Sequence, residues 1–229
     1  MGKLSRRLCS GYSNNKQTHF GFQTVGEEQK KDKVLSVFHN VADTYDVMND
    51  VMSVGIHRVW KNHFMSKLDP GSSTKLLDVA GGTGDIAFRF LDHVGRDCGG
   101  GASVVVCDIN KSMLEVGEAR ARTLGYNSGV SWVEGDAQAL PFPDNSFDCY
   151  TIAFGIRNVV RVEEALAEAY RVLRPGGRFM CLEFSKVGAV GNTNSTKIAA
   201  IFITFGQQLS CSRFQPLDWM RCMTSTPSR

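Results

Sequence analysis

Three acids, Asp78, Asp108 and Asp136, stand at or just beyond the ends of apolar runs, in LLDVAGGTGD, VVVCDIN and VSWVEGDA. Carboxylates in such places present negative charge and hydrogen-bond acceptors to a ligand lying across the tips of a sheet. The first run leads into a glycine-rich turn in which Gly81, Gly82 and Gly84 flank Thr83. Without a Cβ such a backbone can turn sharply and approach a ligand closely. Downstream, Ile86, Ala87, Phe90, Leu91 and Val94 recur at helical spacing, so the turn opens a helix whose free N–H groups face that ligand.

Two cofactor classes compete for this turn. Gly82, Gly84 and Ala87 satisfy the G-x-G-x-x-[GA] pattern that seats a dinucleotide pyrophosphate on a helix N-terminus, the mark of an NAD-dependent oxidoreductase. Asp78 argues against it, because a carboxylate ahead of the glycines repels pyrophosphate and attracts a sulfonium or an amino group. S-adenosylmethionine carries both cations and no phosphate. In that reading Asp108 accepts the ribose hydroxyls, Asp136 accepts from the adenine amino group, and the small Ala137 leaves room for the ring. Taken singly each acid is an ordinary loop or cap carboxylate. Their recurrence at successive strand ends favours S-adenosylmethionine, with Asp78, Gly82, Thr83, Asp108, Asp136 and Ala137 as the binding set.

The elements that position these residues follow from periodicity. Strands are expected at 74–80, 103–109, 130–135, 147–154 and 178–185, with helices at 83–95, 111–124 and 161–173. Alternation of strand and helix implies right-handed crossovers and a parallel, Rossmann-like α/β sheet. The runs VVV and YTIAF lack polar alternation, as strands covered on both faces do. Pro175, Gly176 and Gly177 are expected to end a helix and hand over at once to the last strand. Residues 31–52 and 56–68 read as amphipathic helices that could lid the site, with Pro70 and Gly71 leading into the sheet. Asp85, just inside its helix, reads as a cap or dipole partner.

At 229 residues one domain is the default. The net charge of +3 arises within residues 1–26, which hold Lys3, Arg6, Arg7 and Lys16 and no acid. The rest is close to neutral, so no basic patch for nucleic acid remains. That leader, rich in Ser and Thr and free of acids, has the character of a mitochondrial transit peptide or a disordered polar tail. Cys9, Cys98, Cys107, Cys149, Cys181, Cys211 and Cys222 form no C-x-x-C pair and no metal spacing. They read as reduced thiols, and no metal is implied.

Tyr45–Trp60, YDVMNDVMSVGIHRVW, and Arg171–Ser185, RVLRPGGRFMCLEFS, resemble the two signatures of the ubiquinone and menaquinone C-methyltransferases of the UbiE type. FGIRN, Phe154–Asn158, is also that family's wording, as is AGGTGD with Ala80 leading; Arg174 stands where Lys is usual. The resemblance runs from about residue 31 to about 186 and is strongest to the mitochondrial members, which methylate a ring carbon of a polyprenyl methoxy-benzoquinol in coenzyme Q synthesis. It implies a class I S-adenosylmethionine-dependent methyltransferase fold, a mitochondrial setting on the matrix side of the inner membrane, and peripheral membrane contact. It also implies partners among the other coenzyme Q biosynthesis proteins in a multi-subunit complex, and a homodimer as one arrangement.

Such a substrate sets its own demands. An aromatic carbon attacks a methyl sulfonium only once a ring hydroxyl has lost its proton, so the site needs a base or a cation that favours the phenolate. Arg157 and Asn158, after the fourth strand, are the catalytic candidates. Arg157 would stabilise the phenolate or polarise a water, and Asn158 would hold the same oxygen. An ion pair fixing the loop is the competing reading of Arg157. Tyr45, Asp46 and His57 are alternative proton acceptors.

Residues 187–229 do not read as the family continues, which should be with a further helix and two strands. The expected division is therefore a leader at 1–30, a methyltransferase domain at 31–186 and an unrelated tail at 187–229, with the sheet incomplete at its C-terminal strands. The apolar run Ala199–Phe205 is too short to span a membrane. A variant with an altered C-terminus would lose stability and activity, and a non-catalytic partner in the biosynthetic complex is one alternative to an active enzyme.

Overall fold

The computed structural model describes residues 17–20, 23–26, 30, 56–95, 101–126 and 128–183. Within the expected leader, β1 (Gln17–Phe20) and β2 (Gln23–Gly26) pair antiparallel, Gln17 opposite Gly26 and Phe20 opposite Gln23. Charge and polarity suggested a leader there, and those properties are blind to strand pairing. The expected helix at 31–52, with Tyr45 and Asp46, and the tail at 187–229 lie outside the described residues.

The main body begins with α1 (Ile56–Leu68), which buries His57, Lys61, Phe64, Met65 and Leu68 along one face. Then β3 (Lys75–Val79), α2 (Asp85–Val94), β4 (Ser103–Asp108), α3 (Lys111–Leu124), β5 (Val130–Glu134), β6 (Phe147–Ala153), α4 (Val162–Val172) and β7 (Leu173–Leu182) follow. Each expected strand and helix of this stretch is present. The five strands form one parallel sheet in the order β5-β4-β3-β6-β7.

Side chains alternate across this sheet, as the period of two requires. Leu76, Val104, Val106, Met180 and Leu182 pack with Phe64 and Leu68 of α1, Phe90 and Leu91 of α2, and Leu114 and Ala121 of α3. Leu77, Val79, Tyr150, Ile152, Phe179 and Cys181 pack on the other side with Ala165, Ala169 and Val172 of α4. Helices thus lie on both faces of a mostly apolar sheet, the arrangement a parallel sheet needs. Cys107, Cys149 and Cys181 are free and buried in these strands.

The last strand starts earlier than expected. Leu173 pairs with Phe147 directly after α4, and the pairing then jumps to Arg178 opposite Cys149. Arg174, Pro175, Gly176 and Gly177 make the expected sharp turn, but as a bulge inside the strand, with Gly176 at φ 81°. A proline lacks the N–H a ladder needs, so the bulge falls where pairing is interrupted anyway.

Candidate active site

Parallel pairing brings every strand's carboxyl end to one edge. The chain runs outward from β3 through β4 to β5, then returns to β6 on the other side of β3. The order therefore reverses between β3 and β6, and open α/β sheets bind ligands outside that reversal. The glycine turn follows β3, Asp108 ends β4, Asp136 follows β5, Arg157 and Asn158 follow β6 on a short 3-10 turn (Ile156–Asn158), and Glu183 follows β7. The backbone is bent hard at the reversal. Ala80 and Phe154, just past β3 and β6, take left-handed φ values of 52° and 57°. A Cβ built on Gly155 would lie 2.5 Å from that of Ala80, so the two loops touch.

Asp78 lies one layer lower than a strand-tip acid. It is 1% exposed, and its Oδ1 accepts a hydrogen bond from the Thr151 hydroxyl at 2.8 Å. Its Oδ2 has no hydrogen-bond partner. The glycine turn lies over it: a Cβ on Gly81 would come within 2.8 Å of Oδ2 and 2.7 Å of Val106. Only glycine permits that overlap. Burial pushes the Asp78 carboxyl up to about 7, opposed by the Thr151 hydrogen bond and Lys61 and assisted by Asp108 and Asp85. An orphaned, buried carboxylate oxygen is costly unless a donor or a positive charge reaches it. A cationic ligand above the turn fits that requirement and a pyrophosphate does not.

Asp108 is set into the same turn. Its Oδ2 accepts the Gly82 N–H at 2.9 Å and its Oδ1 accepts the Asn110 N–H at 2.8 Å. Burial raises its carboxyl, while the Asn110, Gly82 and Ile109 N–H groups pull the other way. Each carboxylate oxygen can accept more than one hydrogen bond, so capacity for a diol remains. Thr83 is buried within the turn. Asp136 behaves in part as the loop carboxylate it resembled, its Oδ1 accepting from the backbone and side-chain amides of Gln138, both at 3.0 Å. Ala137 beside it is buried against the α4 side of the core. Burial, and after it Asp108, Asp136 and Asp78, push the Cys107 thiol up to about 12.

Arg157 makes an ion pair. Its guanidinium donates to Oε1 of Glu183, and its backbone N–H donates to Oε2 of the same residue at 3.3 Å. The Arg157 side chain is 44% exposed and that of Glu183 only 10%. Of the two readings of Arg157, the loop-fixing pair is therefore present, and it leaves the cation partly open to a ligand. Glu183 was missed by sequence reasoning, although its setting, an acid closing the apolar run FMCLE, repeats the signal that singled out Asp78 and Asp108.

Lys61 was missed as well. Its ammonium, on the buried face of α1, donates to Asp85 Oδ2 at 2.7 Å. Asp85 sits in the first turn of α2, where the preceding Gly84 occupies the cap position without a side-chain cap. Arg89 approaches the other Asp85 oxygen at 3.5 Å. Burial alone would raise the Asp85 carboxyl; Lys61 and Arg89 hold it below its usual value. His57, one of the three alternative proton acceptors, is buried on the same helix.

The ubiE/COQ5 methyltransferase family matches residues 24–207. The chain belongs to that family. The match includes the first part of the segment that read from sequence as unlike it. The chain is 54% identical over 213 residues to the human mitochondrial 2-methoxy-6-polyprenyl-1,4-benzoquinol methylase, covering 80% of this chain and 65% of the relative. Against the enzyme of that name from Bos taurus it is 53% identical over 215 residues, covering 81% of this chain and 65% of the relative. The chain thus spans somewhat less than two thirds of their length. A SAM-dependent methyltransferase from Aquifex aeolicus, 20% identical, superposes with a TM-score of 0.50 over 58% of this chain and 68% of its own. That likeness concerns the fold, which is the class I, Rossmann-like one.

Proposed function

We propose that this protein uses S-adenosylmethionine to methylate a ring carbon of a polyprenyl methoxy-benzoquinol in ubiquinone synthesis. The observation that carries the reading is the carboxylate nest under the glycine turn, with the orphaned Oδ2 of Asp78 at its base. A dinucleotide would bring its pyrophosphate toward Asp78, Asp85 and Asp108, which is electrostatically the wrong partner. The names of the relatives supply the substrate class.

When bound, S-adenosylmethionine supplies an electrophilic methyl group on a sulfonium. Asp108 would accept the ribose hydroxyls, Asp136 the adenine amino group, and Ala137 would flank the ring. Gly82 and Thr83 shape the turn, and Asp78 lends negative charge below it. Arg157 would hold a ring hydroxyl as its phenolate, which makes the ring carbon a nucleophile. Asn158 would hold the same oxygen, and Glu183 keeps the guanidinium aimed. Mitochondrial residence on the matrix side of the inner membrane, peripheral membrane contact, association with other coenzyme Q proteins and a homodimer belong to the same proposal, and rest on the relatives and on the lipid tail of the substrate.

Two measurements on the full chain test it. Calorimetric titration should show S-adenosylhomocysteine binding and no comparable binding of NADH. Radiolabelled methyl should pass to a short-chain demethyl quinol under reducing conditions. Preference for NADH, or donor binding without any transfer to the quinol, overturns the reading.

A further inference from the structure

The N-terminal half of α1 touches both loops that meet at the sheet's reversal. Lys61 reaches the start of α2, directly after the glycine turn, through its 2.7 Å bond to Asp85. Its neighbour Trp60 packs its ring 6.5 Å from that of Phe154, the left-handed residue that opens FGIRN. Farther along, Phe64, Met65 and Leu68 are fixed in the core. Beyond the end of the helix, the Asp69 carbonyl accepts from Arg178 of β7 at 3.3 Å. The helix is therefore anchored along its length, and Trp60 and Lys61 make its contacts to the two loops.

From this we infer that Trp60 and Lys61 are positioning residues which tie the donor turn to the acceptor loop, so that α1 is a strut across the site and not a lid over it. The inference deepens the proposed function and rests on it for the identity of the two ligands. The physical reason lies in the environment of Lys61. A buried ammonium facing Asp85, with Asp78 close by, has a strong single-position preference, because leaving the carboxylate side is costly for both charges. Displacement of the turn would drag Lys61, and with it Trp60 and the backbone of Phe154. Two adjacent residues on a rigid helix convey that displacement without a long chain of contacts.

The test uses the full chain and three forms: unaltered, Lys61→Arg, and Lys61→Met combined with Asp85→Asn. The last removes both charges of the pair together, so Asp85 is not left as a carboxylate without its ammonium. Two readouts are taken, calorimetric affinity for S-adenosylhomocysteine and hydrogen exchange of the amides at 155–159, which neither substitution touches. The paired substitution should weaken donor binding by about tenfold, within the range of linked sites, and should speed exchange at 155–159 severalfold. Its melting temperature should stay near that of the unaltered chain, and Lys61→Arg should preserve both readouts. Unchanged exchange at 155–159 in the paired variant overturns the strut whatever happens to affinity. Loss of both readouts in Lys61→Arg as well would equally overturn it, since the charge would then be irrelevant. If the unaltered chain does not bind S-adenosylhomocysteine, the functional reading fails, while the exchange data still decide whether the two loops are mechanically joined.

Discussion

Glu183, at the tip of β7, accepts both the backbone N–H and the guanidinium of Arg157, so one carboxylate fixes the loop and aims its cation. Removing the cation should therefore differ from removing its holder. Arg157→Ala is expected to lower methyl transfer by about two to three orders of magnitude, the usual scale for a charge that stabilises a developing anion. Donor affinity should hardly move. Glu183→Gln keeps an acceptor but loses the charge, and should cost roughly tenfold. Radiolabel kinetics with a short-chain quinol checks both, and equal losses in the two variants would contradict this division of labour.

Asp108 should report on the donor alone. Its two oxygens already take the Gly82 and Asn110 N–H groups, so Asp108→Ala removes the support of the turn along with the proposed ribose acceptor. Loss of a charged hydrogen-bonding group of this kind is worth about 1.5–3 kcal/mol, or about ten- to a hundredfold in affinity. Calorimetry with S-adenosylhomocysteine should show that drop, while an unaltered dissociation constant would remove Asp108 from the binding set.

Asp78 gives the fold a pH dependence of known sign. Burial pushes its carboxyl up to about 7, against about 3.9 in an unfolded chain. Between those values the folded chain keeps a proton that the unfolded chain releases, so this residue's contribution to stability falls as pH rises from about 4 to about 7 and is level above. The loss is on the order of 4 kcal/mol. Urea denaturation of the unaltered chain and of Asp78→Asn across that range should show a gap between them that changes with pH. Parallel curves would mean that the carboxyl is not perturbed. A cationic donor favours the ionised form, so donor binding should strengthen as pH rises through about 7 and should release a proton.

Trp132 of β5 fills a notch between two glycines. A Cβ on Gly117 of α3 would lie 2.5 Å from its ring, and one on Gly84 would also lie 2.5 Å away. Its edge meets Phe88, with ring centres 6.2 Å apart. Gly117→Ala gains helix propensity of roughly 1 kcal/mol, yet overpacking against a rigid indole costs about 1–3 kcal/mol. The clash should win, lowering the melting temperature. Adding Trp132→Leu should recover part of the loss, and if Gly117→Ala alone stabilises the chain the notch is looser than described.

Most of the fold was legible because apolar runs and their spacing report burial directly. The strands from β3 to β6 begin and end within a residue or so of their expected limits, and α1 and α3 match theirs. The departures have local causes. The bulge at Pro175 hides inside β7 because strand pairing resumes beyond it. The β1–β2 pairing lies in a stretch whose composition speaks only of charge. At the site, Asp108 was expected at a strand end and does end β4, whereas Asp78, expected to face a ligand from the strand's tip, lies beneath the turn. The pairing of Lys61 with Asp85, which read only as a cap or dipole partner, escaped notice because it is long-range: 24 residues separate the two. Glu183, closing the apolar run of β7, carries the same strand-end signal as Asp108.

The left-handed bends at Ala80 and Phe154 put two non-glycine residues at the rim where the loops meet, with less backbone freedom than glycine would have. Each such residue costs of order 1 kcal/mol that a glycine would not. An engineer seeking a hardier protein would be drawn to glycine there, and would obtain a softer rim. The chain forgoes that easy gain, and with Gly155 pressed against Ala80 even one added methyl at the junction would wedge the crevice apart.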